Sequence, residues 1–148
     1  MAGRTAEAAP DAYEVAIRLL AQRAHGTAEL ARKLEQKGCA REDVEEALVR
    51  LRDSGYLDDD AFAASLVRRR VTQRGRVAIA AELREKGLSQ EVVARALADV
   101  DAEVELQAAQ EFAERSGRLE PERLAGRLQR RGFAANVIRA VLRMRRES

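Results

Sequence analysis

The 148-residue chain has no tryptophan, one cysteine (Cys39), one histidine (His25), two prolines and only 3% aromatic residues. Each scarcity excludes something. A single cysteine rules out an internal disulfide and suits a reducing compartment, so a cytoplasmic protein is expected. A lone histidine leaves a His-based metal site or a catalytic triad without its parts. With so few aromatics there is no cluster to build an aromatic substrate pocket, and Leu, Val, Ile and Ala must form the core. No apolar run approaches the ~20 residues a membrane helix needs, and residues 1–10 lack the apolar segment of a secretory signal. There is no Gly-rich phosphate loop of the GxxxxGKS or GxxxxGKT form. Asp58, Asp59 and Asp60 are consecutive, so on a helix they point in different directions; they suit helix capping rather than a cation site. No nucleophile, base or metal constellation can be assembled, so neither an enzyme nor a cofactor is expected.

Charge is balanced overall, 27 basic against 25 acidic residues, but it is not evenly spread. Between Asp60 and Glu82 there is no acid, while Arg68, Arg69, Arg70, Arg74 and Arg76 fall there. From Arg115 to Ser148, ten arginines face three glutamates. Such local fields of one sign point to partners. The candidate contact residues for a protein partner or DNA are therefore the five arginines of the first run with Arg127, Arg130 and Arg131. Arg139, Arg143 and Arg145 extend the second group. The plainer reading of both groups is a solvated helix face, and Lys37, Lys86 and Arg131, each just before a glycine, also suit the negative C-terminal end of a helix.

What the chain does have is repetition. Gly38, Gly87 and Gly132 are 49 and 45 positions apart, and the residues around them align. Four before each stands Leu34, Leu83 or Leu128; eight before, Leu30, Ile79 or Leu124. One after comes Cys39, Leu88 or Phe133, which makes Cys39 a small core hydrophobe. Six after comes Val44, Val93 or Ile138, and nine and ten after come Ala47-Leu48, Ala96-Leu97 and Val141-Leu142. A period of about 45 residues is that of a helical repeat array.

The expected architecture is all-α: three tandem three-helix repeats of helix-turn-helix type, elongated and curved, over 11–55, 56–100 and 101–148, behind a disordered tail, 1–10. Apolar spacing places the stripes: Tyr13, Ala16, Ile17 and Leu20 in the first helix; Val44, Ala47, Leu48 and Leu51 in the third; Phe62, Ala63, Leu66 and Val67 in the fourth; Val104, Ala108 and Phe112 in the seventh. Caps are expected from Asp11, Thr27 and Ser89, with Pro121 in a first turn and His25 at a helix end. Each unit is too small to bury its apolar faces alone, so neighbours must lean on one another.

These blocks resemble the RecX regulatory family over roughly Ala12 to Met144. The resemblance rests on His25–Gly38 (HGTAELARKLEQKG), Gly55–Ala63 (GYLDDDAFA), Arg74–Gly87 (RGRVAIAAELREKG) and Arg130–Phe133 (RRGF). The middle two, in this order and spacing, are the specific ones. It implies a small bacterial protein that binds the RecA recombinase filament on single-stranded DNA, lies in its groove, and inhibits its ATPase, strand exchange and coprotease activities. A monomer is expected, because no long heptad seam is present.

The alternative is a direct DNA-binding module, since helix, Gly turn and helix resemble the helix-turn-helix pattern. Two features oppose it. Leu34, Leu83 and Leu128 stand where that motif wants a small residue, and the helices after Gly38 and Gly87 begin with acids (Glu42, Asp43, Glu45, Glu46; Glu91), which phosphates repel. Only the last helix is basic.

Overall fold

A computed structural model describes residues 9–148, and the regular elements among them are all helices. In chain order they are α1 (Ala12–Gln22), α2 (Thr27–Gln36), α3 (Arg41–Asp53), α4 (Asp59–Arg70), α5 (Arg76–Glu85), α6 (Gln90–Leu97), α7 (Ala102–Arg115), α8 (Pro121–Arg130) and α9 (Ala135–Glu147). The all-α expectation holds; the tail expected over 1–10 lies mostly outside the described residues. The helices group into two compact units, one running to Phe62 and including Lys86–Leu88, the other formed by 63–85 and 89–148.

In the first unit the Asp11 carboxylate caps α1, accepting from the backbone N–H groups of Tyr13 and Glu14 at 3.0 and 3.4 Å. α1 buries Ala12 and Ala16, while Ile17 and Leu20 are half-buried against Leu30, Leu34, Val44 and Leu51. Cys39 is buried in this core, where burial pushes its thiol above the ordinary range. The Arg50 guanidinium lies 3.9 Å over the Tyr13 ring, a cation–π contact joining α3 to α1.

Two expectations fail in this unit, for linked reasons. α1 stops at Gln22, three residues before His25, because Arg23 turns extended and gives its guanidinium to Glu29, 2.5 Å from Nη2 to Oε2. His25 is thus no helix end. It is a buried connector whose Nδ1 contacts the Arg23 carbonyl and whose Nε2 contacts the Lys33 ammonium, both at 2.9 Å. Burial is the main cause of its lowered proton affinity. Thr27, in turn, does not cap α2. Its own N–H and hydroxyl donate to Asp59 Oδ1 at 2.8 and 3.0 Å, so an acid 32 residues on supplies the cap. Asp58 caps its own helix through the Ala61 N–H at 3.0 Å.

The second unit repeats that device. Glu105, on the first turns of α7, is buried, and its Oε2 accepts from the Arg76 N–H at the start of α5 and from the Ala134 N–H at the start of α9, both at 3.1 Å. Gly75 and Arg76 stand 49 positions after Gly26 and Thr27, and Glu105 stands 46 after Asp59. The glycines follow the same correspondence. A Cβ on Gly87 would come within 2.6 Å of the Ala28 Cβ, and one on Gly132 would overlap Ala78. Gly132 also has φ of +85°, a left-handed conformation that side chains resist. Backbone meets backbone here: Gly75 N–H donates to the Arg131 carbonyl at 2.8 Å and Val77 N–H to that of Gly132 at 3.0 Å.

Ser89 and Asp101 cap α6 and α7 as expected of such residues, and Pro121 opens α8. α7 is rotated from its expected stripe. Ala108, Ala109 and Ala113 are buried and Val104 is exposed, because Glu105 must face inward to reach two helix starts. Leu83, Leu124 and Leu128 are fully buried, and the Phe112 and Phe133 rings meet at a tilt of 44° with centroids 6.4 Å apart.

Two stability outcomes follow from this packing. Leu83→Ala should lower unfolding free energy by about 2–5 kcal/mol in urea titration, as truncating a fully buried leucine does; an unchanged midpoint would show that the stripe is misassigned. Glu105→Ala should cost about 2 kcal/mol, because two part-buried helix-start N–H groups lose their acceptor. A loss below about 0.5 kcal/mol in the same titration would mean that those groups are not shielded from water.

Candidate functional site

The eight arginines singled out by charge fall into two classes once their surroundings are known. Arg70, in the last turn of α4, makes a forked pair with Glu82 of α5: Nε to Oε1 at 2.9 Å and Nη2 to Oε2 at 3.0 Å. This bidentate bond raises the already high proton affinity of the guanidinium. Arg74 Nη1 approaches the same carboxylate at 3.5 Å. The absence of acids between Asp60 and Glu82 in the sequence therefore does not leave this run without a counterion. α5 folds back and delivers Glu82, the acid that closes the acid-free interval, to Arg70 and Arg74 near its middle.

Arg76 is likewise occupied by the fold. Its Nη1 donates to the carbonyls of Leu97 and Val100, at 2.5 and 2.7 Å, at the C-terminal end of α6. Arg131 donates to the Gln73 carbonyl, 58 positions away, at 3.3 Å, and its guanidinium lies 4.8 Å from the Phe112 ring centre. Arg145, of the wider second group, bonds the carbonyls of Ala113 and Gly117 at 3.0 and 2.6 Å. These side chains are engaged within the second unit, although Arg74, Arg76 and Arg131 stay solvent-exposed.

Arg68, Arg69, Arg127 and Arg130 are different. All four are exposed, and none makes an ion pair or hydrogen bond with another described residue. The backbone bonds from Gly75 to Arg131 and from Val77 to Gly132 join the ends of the two arginine runs in one seam, although more than fifty residues separate them in the chain. On this seam the paired arginines fix the backbone and the unpaired ones face water.

The residues that charge counting missed are acids. Glu82, Glu105 and Asp59 decide which cations stay available and which helices begin where. Their signal was positional: Asp59 and Glu105 fall at nearly the same step after the Gly26-Thr27 and Gly75-Arg76 pairs. Among the described residues no group of three or more His, Cys, Asp or Glu could hold a metal ion, and no helix is long and apolar enough to cross a membrane.

Comparison with known proteins places these features. Family models match residues 12–51, as the first three-helix domain of RecX, and 58–97, as the second. The chain is 40% identical over 146 residues to the regulatory protein RecX of Halorhodospira halophila, covering 94% of this chain and 89% of the relative. It is 38% identical over 157 residues to that of Mycobacterium sp. strain KMS, covering 90% and 86%. The fold matches the crystal structure of RecX from Lactobacillus salivarius with a TM-score of 0.82 at 20% identity, over 90% of this chain and 93% of that one.

The division of the arginines is open to direct measurement. Arg70→Ala should destabilise the protein by about 1–3 kcal/mol, since it removes the bidentate partner of the half-buried Glu82 carboxylate. Arg68→Ala should change stability by no more than about 0.5 kcal/mol, as exposed substitutions do. Equal effects in thermal unfolding would erase the distinction.

Proposed function

The chain belongs to the RecX family, and from that premise we propose that it binds the RecA recombinase filament on single-stranded DNA and inhibits its ATPase, strand exchange and coprotease activities. One observation supports this most: the guanidinium groups of Arg68, Arg69, Arg127 and Arg130 stand exposed and unpaired, while the other arginines of the same two runs are engaged. Cations with no internal partner suit an anionic one, and the guanidinium fork suits carboxylates of a protein filament. The exposed acids of α3, Glu42, Asp43, Glu45 and Glu46, suit basic patches on the same partner. A helical array presents such groups on a broad surface and needs no pocket or cofactor to act. The reading takes the chain as a cytoplasmic monomer of three tandem repeats, over 11–55, 56–100 and 101–148.

The test is the ATPase rate of RecA on single-stranded DNA as this protein is added, with DNA in excess so that sequestering DNA cannot mimic inhibition. Inhibition is expected well below one copy per RecA. The double variant Arg68→Ala/Arg69→Ala should need about tenfold more protein, equivalent to about 1.4 kcal/mol, with helicity unchanged. No inhibition by folded protein in stoichiometric excess would overturn the proposal.

A further inference from the structure

The last helix carries a second set of unused arginines. Arg139, Arg143 and Arg146 are spaced by four and three residues, so they share one side of α9 and rise by about 6 and 4.5 Å. All three are exposed and none pairs with a described residue; Glu147, one turn beyond Arg143, forms no ion pair with it. Together with Leu142 of the same helix and Pro121 of α8 they line one shallow groove. The neighbouring Arg145, by contrast, is tied to the Ala113 and Gly117 carbonyls. α9 thus separates an arginine that holds the fold from three that do not.

We propose that this groove binds the phosphodiester backbone of single-stranded DNA through Arg139, Arg143 and Arg146, without reading its sequence. The occupant must be anionic over a length of about 10 Å, because three like charges in a row are mutually repulsive until one is supplied. A nucleic-acid strand carries one negative charge per ~3.4 Å along its axis, always of the same sign, whereas a protein surface intersperses both signs. No aromatic residue lines the groove, so it lacks the platform on which bases stack, and backbone contact is what remains. Leu142 and Pro121 give a floor that suits the apolar edge of a sugar.

Insertion of α9 into a duplex major groove is the competing geometry, and the structure opposes it. Recognition helices meet base edges with their N-terminal residues. Here the Ala134 N–H at that end already donates to the buried Glu105 carboxylate, so it is not available to a phosphate or a base edge. The basic side lies along the C-terminal two-thirds of the helix, where a single strand can run beside it.

The inference deepens the filament reading, since that filament is built on single-stranded DNA, but its test omits RecA so that each can fail alone. Fluorescence anisotropy of a labelled oligo-dT is followed with the full chain across a series of salt concentrations. Each neutralised phosphate on a single strand contributes about −0.7 to the slope of log K against log salt. The variant Arg139→Gln/Arg143→Gln/Arg146→Gln should therefore lose about 2 from the slope and bind at least tenfold more weakly in low salt. The corresponding triple Lys variant should keep the slope. If the triple Gln variant does not fold, Arg143→Gln alone should lose about 0.7. Any of three results would overturn the proposal: no binding by the parent protein, an unaltered slope in the folded Gln variants, or competition by polyglutamate as strong as by unlabelled oligo-dT.

Discussion

A helix whose first N–H groups are buried needs an acceptor, and in this protein several helices are denied one by their own sequence. α2 begins after Gly26 and α9 after Ala134, residues with no side chain that can accept a bond. The acceptors come from elsewhere: Asp59 for α2, and Glu105 for both α5 and α9. A buried carboxylate is costly unless its oxygens are bonded, and a helix N-terminus supplies both donors and a favourable dipole. Helix formation and the docking of one helix group on the next thus become a single event. The glycines at these joints follow from the same requirement, because the carboxylate reaches the N–H groups only where backbone can touch backbone.

That constraint also sorts the cations. Near the joints, Arg76 closes the end of α6 and Arg131 bridges to the Gln73 carbonyl, while Arg70 and Arg74 converge on Glu82. Each of these guanidinium groups satisfies carbonyl or carboxylate oxygens that packing would otherwise leave short of donors. The arginines one or two residues away, Arg68, Arg69 and Arg130, have no such duty. Adjacent arginines on a helix point about 100° apart, so one can serve the core while its neighbour faces water. A run of like charges is therefore a poor unit of function; the individual side chain is the unit.

What a partner can meet on this protein depends on where such charges stand. The seam between the Arg68–Arg76 and Arg127–Arg131 runs is held by main-chain hydrogen bonds, which keeps its exposed cations on rigid elements and limits the entropy lost when a partner orders them. The groove on α9 has the same logic: Arg145 pins the helix end to Ala113 and Gly117, and Arg139, Arg143 and Arg146 are left presented. In both places an arginine bonded within the fold stands beside others that it leaves exposed.

The sequence by itself determined the helices, their Gly stops and most of the core. The Gly38, Gly87 and Gly132 alignment named Leu34, Leu83, Leu128, Cys39, Leu88 and Phe133, and all six are buried. It could do so because apolar periodicity and left-handed glycine turns are local properties, carried within a few residues. Asp11, Ser89 and Pro121 were legible for the same reason. The failures share the opposite cause. Thr27 lost its expected role to an acid 32 residues away, His25 became a buried link because Arg23 was drawn to Glu29, and α7 turned so that Glu105 could reach two helix starts. Likewise Arg70, Arg74, Arg76 and Arg131 left the list of free cations through contacts made across the fold. A long charged side chain has neither a period nor a fixed direction, so its partner is chosen only when tertiary packing brings an oxygen within about 3 Å.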